Sequence, residues 1–494
     1  MKESKLVIEP GISPVLIKIS NFLARQNIKA YLVGGFVRDL LLGRETADID
    51  IAISADALEI GPRIASLLDG KYVPLDEVNR VSRIVLPNLE LDLSTIKGNI
   101  EQDLAQRDFS IDAIAVDLEE LEKGYPSVQL IDPLGGWDDL QRKLVRATSE
   151  DALKSDAVRL LRAVRLAAEL GFNIDQETKA LLLRDSPLIS TVAGERIREE
   201  LLRLLAVPQS EQILSYLDEL GLITDIIPEL IQTKGSTQPK EHYWDVFNHI
   251  VHTVAAADFL LRQGDWEYAN KEALTFVPWS SALAQHFKQE ISHGSSRRLL
   301  LKLAALLHDI AKPQTKTIET DGRVRFLGHP QMGAEIAAEI LQRLRFSAKE
   351  VKLVETMVRY HLRPTQMSQE GLPSPRAIYR YFRDAGEVGI DTLFLSLADH
   401  LATRGPNLNL AQWQEHAKVI EYALSQHLQQ ESIIAPLKLV DGHDLINIFG
   451  MKPGPKIGEL LEAMREAQAA GELKTREAAL SYIRKRLVKE AKQD

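Results

Sequence analysis

The 494-residue chain contains no cysteine. Disulfides, thiolate metal sites and a cysteine nucleophile are therefore excluded, and any bound metal must rely on histidine and carboxylate ligands. Long hydrophobic runs are also lacking, because the densest, LLLKLAALL at 299–307, is far shorter than the roughly 20 apolar residues of a membrane span. The first residues, MKESKLVIEPGISP, do not have the basic-then-apolar layout of a signal peptide. We expect a cytoplasmic protein that does not act in a membrane.

The composition is that of a globular protein too large for one core. Hydrophobic residues make up 45% and charged residues 26% of the chain, and a domain of roughly 150 residues is usual, which indicates three or four domains. The net charge of −10 argues weakly against a nucleic-acid partner, since phosphate binding depends on Lys and Arg. Local basic patches and carboxylates gathered around metals are both compatible with an acidic total.

The periodicity changes along the chain and predicts four domains. An α+β head is expected over 1–148, a helical neck over 149–230, a further helical region over 231–405 after a Gly, Ser, Pro and Lys-rich connector, and a last helical region over 406–494. The head has five segments with strand character: AYLV, DIDIAI, SRIVL, LELDLST and DAIAVDL. The clearest helices are SPVLIKISNFLARQ, LKSDAVRLLRAVRLAAELGF and GERIREELLRLLAV.

The stretch GGFVRDLLLGRETADIDIAI at 34–53 combines two features of phosphoryl-transfer sites. Asp48 and Asp50 alternate with isoleucines, so both carboxylates project from one face of a strand and repel unless a cation such as Mg²⁺ lies between them. Gly34 and Gly35 precede a helix predicted to begin near Phe36, whose free N–H groups can face a phosphate. We expect Arg38, in the first turn, to reach the same anion.

The stretch just described is the first of five motifs that follow one another along the chain. The other four are DLAQRDFSIDAIAVD, DPLGGWDDLQRKLVRAT, SDAVRLLRAVRLAAELGF and GERIREELLRLL. In this order the five motifs resemble the class II nucleotidyltransferases, the family of tRNA CCA-adding enzymes and bacterial poly(A) polymerases. The resemblance covers about 30–210.

The resemblance implies a polymerase-beta-like head that uses Mg²⁺. Asp48 and Asp50 would hold two Mg²⁺ ions between the triphosphate and a primer hydroxyl, with Asp92 of LELDLST as third carboxylate. Asp156 and Arg159, three apart on a predicted helix, would read the base edge of C or A. An ordinary helix ion pair is the alternative for these two. The implied nucleotide-binding set is Gly34, Gly35, Arg38, Arg107, Asp108, Asp156, Arg159 and Arg162.

Three departures from the family pattern bear on activity. Gln106 replaces the first of two arginines in the second motif, and Ser155 stands where the family has a Glu before Asp156. Only IKGNIEQ separates Thr95 from Asp103, which leaves little room for the flexible loop of complete CCA-adding members. In this family a missing loop is associated with enzymes that stop after CC.

The chain contains His249, the adjacent pair His308–Asp309 and Asp399 in the order H…HD…D. This ordered set resembles the ligands of the HD phosphohydrolase superfamily, which predicts an HD domain at 231–405. The resemblance implies a divalent metal able to activate water at these residues. His329 and His361 are candidates for a second metal position, whereas His242 and His252 are interpreted as ordinary core or surface residues. The resemblance implies action on 2′,3′-cyclic or terminal phosphates, and a scaffold with inactive ligands is the alternative.

The expected function is template-independent addition of C residues, CC or complete CCA, to the tRNA 3′ end from CTP, with ATP as a further substrate in the second case. The alternatives are a poly(A) polymerase and an HD phosphohydrolase whose head binds RNA. The C-terminal region, with Lys452 and Lys456, resembles a body and tail that cradle tRNA, or is a solvated amphipathic helix. No role is predicted for segment 264–297.

Overall fold

The computed structural model describes residues 2–4, 11–46, 48–123, 128–292, 294–367, 371–432 and 439–490. The chain forms two compact units, one made of 1–200 with 217–226 and the other of 201–216 with 227–494. The predicted class, an α+β head followed by helical domains, is confirmed. The finer four-domain division stays a prediction.

The head is built on one eight-stranded sheet in the order β1-β8-β7-β2-β3-β6-β5-β4. Its neighbours pair antiparallel except β3 and β6, which run parallel. The strands are β1 (Lys2–Ser4), β2 (Ala30–Val33), β3 (Asp48–Ile53), β4 (Lys71–Asp76), β5 (Val81–Leu86), β6 (Leu89–Thr95), β7 (Ala115–Asp117) and β8 (Val128–Ile131).

All five predicted strand segments are confirmed as β2, β3, β5, β6 and β7. The sequence reading missed β4, which is KYVPLD at the edge of the sheet and has no buried residue. Pro74 cannot donate a ladder hydrogen bond, and proline is tolerated at such an edge. Without a buried face, β4 lacks the alternation that identifies a strand.

Helices cover the head sheet and form the rest of this unit, together with a parallel pair, β9 (Leu144–Val145) and β10 (Asn173–Ile174). Helices α9 and α10 cross from one unit to the other. The helices are α1 (Ser13–Ala24), α2 (Gly34–Leu41), α3 (Ala57–Leu67), α4 (Ile100–Ala105), α5 (Gly136–Arg142), α6 (Ala152–Ser155), α7 (Arg159–Leu170), α8 (Gln176–Asp185), α9 (Gly194–Ala206), α10 (Ser210–Glu219) and α11 (Leu222–Ile226).

The second unit is helical apart from two short hairpins, β11 (Glu290–Ser292) with β12 (Ser295–Ser296) and β13 (Lys316–Ile318) with β14 (Val324–Phe326). Its helices are α12 (Val246–Leu260), α13 (Lys271–Thr275), α14 (Ser281–Lys288), α15 (Arg297–Leu307), α16 (His329–Arg343), α17 (Ala348–Tyr360), α18 (Arg363–Met367), α19 (Pro375–Ala385), α20 (Gly389–Arg404), α21 (Leu410–Ser432), α22 (Gly442–Phe449), α23 (Pro455–Ala469) and α24 (Arg476–Glu490). No helix of the described residues is long and apolar enough to cross a membrane.

Segment 264–297, which had no predicted role, packs onto the helical core. Trp279 lies against Phe287 and Phe394 with ring centroids 6.2 and 6.0 Å away. The indole N–H of buried Trp413 donates to the carbonyl of Ala273 at 2.8 Å. Aromatic side chains contribute large buried areas, so this segment stabilises α20 and α21.

The C-terminal helices α22–α24 have a hydrophobic core of their own, formed by Leu445, Leu460 and Met464 among others. Three ion pairs join α19 to α23 and to the segment that follows α23. They are Arg376–Glu472 (2.9 Å), Arg380–Glu466 (2.6 Å) and Arg383–Glu462 (2.8 Å).

A buried ion pair lies between α12 and α15. Lys302, which is 1% exposed, places its Nζ 2.6 Å from Asp258 Oδ1, and the Ser210 hydroxyl donates to Asp258 Oδ2 at 2.6 Å. Burial lowers the pKa of Lys302, while Asp258 opposes this shift. A lysine held in this way stays compatible with the core only while its carboxylate is present.

We therefore expect Asp258→Ala to lower the free energy of unfolding by about 3–5 kcal/mol, since it leaves a buried ammonium group uncompensated. Urea denaturation of the full chain measures this loss. The control is Glu459→Ala, which removes the exposed partner of Lys456 at 3.4 Å and should cost about 0.5 kcal/mol or less. Equal effects of the two changes would contradict the prediction.

Candidate active sites

The parallel pairing of β3 with β6 brings the predicted head carboxylates together. Asp48 pairs with Glu90 and Asp50 with Asp92 in register, so the four acidic side chains occupy one face. The intervening Ile49 and the Ile51 that follows Asp50 are buried on the opposite face. Asp92 therefore lies next to Asp50, where the sequence analysis placed a third carboxylate.

Asp50 lies in a crowded, charged setting. Burial raises its pKa to about 6; Arg107 opposes this shift, whereas Asp92 and Asp112 add to it. A buried carboxylate beside other carboxylates favours either a proton or a cation. The site therefore suits a hard divalent ion with oxygen ligands.

Gly34 allows the start of α2 to approach this carboxylate. Its φ is +70°, and a Cβ at this position would lie 2.9 Å from Arg107 Nη1 and 3.0 Å from Asp50 Oδ2. Any other residue would be strained and would displace a charged group. Helix α2 begins at Gly34 rather than near Phe36 as predicted, and Phe36 N–H donates to the Asp50 carboxylate.

Arg38 is already paired within the head, whereas the sequence analysis expected it to reach a bound anion. Its guanidinium donates to Asp112 at 2.7 Å and to both oxygens of Asp39 at 3.0 Å. These acidic partners raise its pKa further, although burial opposes them. Arg38 thus braces α2 against the segment of Asp112, a residue that the sequence analysis did not single out.

Buried Asp108 forms an ion pair with the partly exposed Arg162 in the first unit. Arg162 Nη1 donates to Asp108 Oδ2 at 2.9 Å, and its Nε contacts Glu200 at 3.4 Å. Burial alone would raise the pKa of Asp108, but the pair with Arg162 outweighs it and holds the pKa below its usual value. This contact ties the second motif to the fourth.

The prediction that Asp156 and Arg159 share one helix is wrong. Helix α6 ends at Ser155, Asp156 is extended (φ −154°, ψ 96°), and α7 begins at Arg159. The Asp156 carboxylate accepts from the backbone N–H of Val158 at 3.4 Å. Asp side chains compete in this way with helical hydrogen bonds, and the periodicity could not reveal it.

The break changes the partners of both side chains. Asp156 forms a bidentate ion pair with Arg196 of the fifth motif at 2.9 and 2.7 Å. Burial would raise the pKa of Asp156, but Arg196 outweighs it and lowers the pKa. Arg159 donates to the carbonyl of Ala152 at 2.9 Å and to the Ser155 hydroxyl at 3.3 Å. Ser155 therefore still supplies an acceptor for Arg159.

The connection between β6 and α4 is as short as the sequence indicated. Four residues, 96–99, separate Thr95 from Ile100. Asn99 caps α4 in a capping box with Gln102, which satisfies the first N–H groups of the helix. Such a short, capped turn does not include a long flexible loop.

The second unit brings all six predicted HD residues into one buried cluster. They come from α12, α16, α20 and the turns that follow α15 and α17. Two groups of three have ligand atoms within 4.8 Å of one another. The six residues are His249, His308, Asp309, His329, His361 and Asp399.

Asp309 belongs to both groups. Its Oδ2 lies 3.2 Å from the Nε2 atoms of His249 and His308. Its Oδ1 lies 3.3 Å from His329 Nε2 and 3.8 Å from His361 Nε2. One carboxylate therefore faces two neighbouring pairs of imidazoles.

The histidine tautomers fit a metal. The Nδ1 atoms of His308, His329 and His361 lie 2.7–2.8 Å from the carbonyl oxygen three residues earlier, so each Nδ1 carries the proton. Each ring then turns its Nε2 atom into the cluster, and this is the nitrogen that would bind a metal. His329 Nε2 and His361 Nε2 are 3.4 Å apart, and two lone pairs at that distance call for a cation between them.

Asp399 completes the set on the side of His249. Its Oδ1 lies 3.2 Å from His249 Nε2 and 3.9 Å from His308 Nε2. Burial would raise the pKa of Asp309, but His308 and Lys312 outweigh it and hold the pKa well below its usual value. The cluster therefore combines carboxylate oxygens with imidazole nitrogens, the donor set of divalent transition metals.

The sequence analysis missed the contribution of the connector before α12. Lys312 donates to Gln238 Oε1 at 2.6 Å and lies 3.5 Å from His242 Nε2. The His242 and His249 rings are 5.4 Å apart, so His242 borders the cluster. Burial, followed by Lys312, lowers the pKa of His242 to about 3. The Gly, Ser, Pro and Lys-rich composition of this connector did not indicate that His242 lies beside the cluster.

Three models of known families match successive parts of the chain, in the same order as the motifs. The model of the poly A polymerase head domain matches residues 30–99 and 79–146. The model described as "Probable RNA and SrmB-binding site of polymerase A" matches residues 171–233, and the HD domain model matches residues 279–404.

Curated relatives cover nearly the whole chain. The A-adding tRNA nucleotidyltransferase of Deinococcus radiodurans is 33% identical over 92% of this chain and 95% of its own length. The CC-adding tRNA nucleotidyltransferase of Thermus thermophilus is also 33% identical, over 92% of this chain and 93% of its own. The fold is similar to a CCA-adding enzyme solved with CTP, with a TM-score of 0.66 and 20% identity over 99% of this chain and all of the other. The chain therefore belongs to the family of tRNA nucleotidyltransferases.

Proposed function

We propose that the protein extends the 3′ end of tRNA with CMP residues taken from CTP, using Mg²⁺ held at Asp48 and Asp50. The observation that carries the proposal is the parallel register that aligns Asp50 with Asp92. The relatives named above carry out A or CC addition to tRNA, and a related fold has been solved with tRNA. We expect the protein to act in the cytoplasm.

The reaction forms a bond between the primer 3′-oxygen and the α-phosphorus of CTP, and it breaks the bond to the β-phosphate, so that pyrophosphate leaves. Bound Mg²⁺ would lower the pKa of the primer hydroxyl and offset the charge of the phosphates. Gly34, by its missing Cβ, lets the N–H groups of α2 and the Arg107 guanidinium come close to the carboxylates. These groups can bind the triphosphate and orient its α-phosphorus.

Base selection is proposed for Asp156 and Arg159, through a geometry other than a shared helix face. Asp156 is held by Arg196 and can accept from the exocyclic amine of cytosine, while Arg159 can donate to the ring nitrogen. U and G present a carbonyl oxygen to the carboxylate and are repelled. Arg162 braces the site through Asp108.

We expect Asp156→Ala to raise UTP and GTP incorporation relative to CTP by about 10- to 100-fold, since a bidentate base contact gives roughly 1–3 kcal/mol of discrimination. Single-nucleotide incorporation into tRNA that lacks its 3′ end measures the ratio. Asp151→Ala, at an exposed residue before α6, is the matched control. If Asp156→Ala keeps the original selectivity for CTP, residues other than Asp156 select the base.

The capped turn 96–99 favours addition of CC over complete CCA. Purified protein should extend tRNA lacking CCA by two C residues with CTP and then stop, even with ATP present. Addition of A to tRNA ending in CC would favour A or CCA addition, and long A tails would favour a poly(A) polymerase.

A second function, metal-dependent phosphohydrolysis, is proposed for the HD cluster. The convergence of six candidate ligands, Asp309 among them, supports it. The ligand set would hold a divalent metal, which supplies an activated water for attack on a phosphoester. The proposed substrates are 2′,3′-cyclic or terminal phosphates at RNA ends. Phosphate release without extension would instead favour a hydrolase whose head only binds RNA.

A further inference from the structure

Arg83 occupies a place in the head that neither the motifs nor the family models assign. It lies on β5 directly opposite Asp92, which in turn lies opposite Asp50 on β3. Sheet register therefore sets Arg83, Asp92 and Asp50 in one row on the same face. A one-residue slip of β5 would turn Arg83 to the other face.

The guanidinium of Arg83 engages the carboxylates with nearly all its donors. Its Nε donates to Asp92 Oδ1 at 2.7 Å, its Nη2 donates to Asp92 Oδ2 at 2.8 Å, and its Nη1 lies 2.5 Å from Glu90 Oε2. The Asp92 hydrogen bond and the charges of Asp92, Glu90 and Asp48 raise the pKa of Arg83, although burial opposes them. Arg83 is thus a fixed cation at the edge of the proposed Mg²⁺ site.

We propose that Arg83 is a positioning residue that competes with the divalent cation for Asp92 and keeps the affinity of the head for free metal low. The proposal rests on the proposed function of Asp48 and Asp50. Arg83 holds both carboxylate oxygens of Asp92 in the row that contains Asp50, and its positive charge opposes a second cation nearby. The triphosphate of CTP adds negative charge to the site, so metal enters mainly together with the nucleotide.

Two variants of Arg83 separate the effect of its charge from the effect of its hydrogen-bonding geometry. Arg83→Met keeps most of the stem and removes the charge, so we expect the dissociation constant of Mn²⁺ at the head to fall about tenfold, or 1.4 kcal/mol. Arg83→Lys keeps the charge without the bidentate fork, so its affinity for Mn²⁺ should stay within about threefold of the unchanged protein.

The measurement is electron paramagnetic resonance titration of the full chain with Mn²⁺ alone, without nucleotide. Each protein is titrated with and without the additional change Asp48→Ala. The difference in bound Mn²⁺ between the two titrations is the Mn²⁺ bound at the head. This subtraction removes any Mn²⁺ bound at the HD cluster. Melting temperatures with EDTA show whether each variant is folded.

Four results distinguish the outcomes. Tighter Mn²⁺ binding in Arg83→Met together with near-unchanged binding in Arg83→Lys supports the competition. Unchanged or weaker binding in Arg83→Met overturns it, and so does an equal change in both variants. If Asp48→Ala removes no Mn²⁺ from the unchanged protein in a second titration with CTP present, the proposed function of the head fails instead.

The same variants can be followed during CMP addition. Arg83→Met should need about tenfold less Mg²⁺ for half-maximal rate at low CTP, while Arg83→Lys should resemble the unchanged protein. Equal Mg²⁺ requirements in all three would contradict a role for the charge of Arg83.

Discussion

Replacing Asp50 with asparagine is expected to lower the rate of CMP addition to tRNA by about 10³-fold or more. Asn keeps the size of the side chain but removes the negative charge that would hold Mg²⁺, and an interaction of about 4 kcal/mol at the transition state corresponds to that factor. Initial rates with tRNA lacking CCA, CTP and Mg²⁺ measure the loss. Phosphoester hydrolysis by the same preparation should be unchanged, because the HD cluster is built from other residues.

A matched control is available within the same sheet. Asp117 ends β7, and its carboxylate accepts from the Glu119 N–H at 3.0 Å. Asp117→Asn is the same chemical change outside the carboxylate row and should retain addition. Substantial addition by Asp50→Asn at ordinary Mg²⁺ concentrations would show that the row of β3 and β6 is not the site of chemistry.

Asp309→Ala should abolish metal binding at the HD cluster and reduce phosphoester hydrolysis by about 10³-fold or more. The physical reason is that Asp309 faces both pairs of imidazoles, so one change removes a ligand from both groups. Metal content by inductively coupled plasma mass spectrometry and hydrolysis of a 2′,3′-cyclic nucleotide are the measurements. CMP addition should continue.

The control for this change is Asp321→Ala in the turn between β13 and β14, where Asp321 is exposed and pairs with Arg323 at 3.1 Å. It should leave metal content and hydrolysis unchanged. Retention of stoichiometric metal by Asp309→Ala would contradict the assignment. Loss of addition together with hydrolysis would instead indicate that the two activities are not separable.

The sequence predicted those features of the head that depend on local patterns. Alternation of charge and apolar residues places Asp48 and Asp50 on one face of a strand, and Gly34 indicates a close approach of the backbone. It could not predict that Arg83 stands opposite Asp92, because strand pairing joins segments by register and not by sequence spacing. Arg83 therefore became visible only in the folded sheet.

The two misjudged placements have different physical causes. Asp156 interrupts a pattern that otherwise reads as one helix, because its side chain bonds to the Val158 N–H and to Arg196. His242 lies in a segment with the composition of a linker, yet the fold returns that segment to the HD cluster. The grouping of the candidate HD residues was predictable because their types and their order along the chain resemble the HD superfamily.

The arginine–glutamate contacts between α19 and the C-terminal helices have a consequence for handling the protein. Arg376, Arg380 and Arg383 are each at least one-third exposed, and ion pairs open to solvent weaken as the Debye length shortens from about 10 Å at 0.1 M salt to about 3 Å at 1 M. The core of α22–α24 is apolar and does not share that sensitivity. Concentrated salt should thus weaken the attachment of an otherwise intact C-terminal bundle to α19. The salt concentration of a buffer for crystallisation or tRNA binding therefore affects the strength of that attachment.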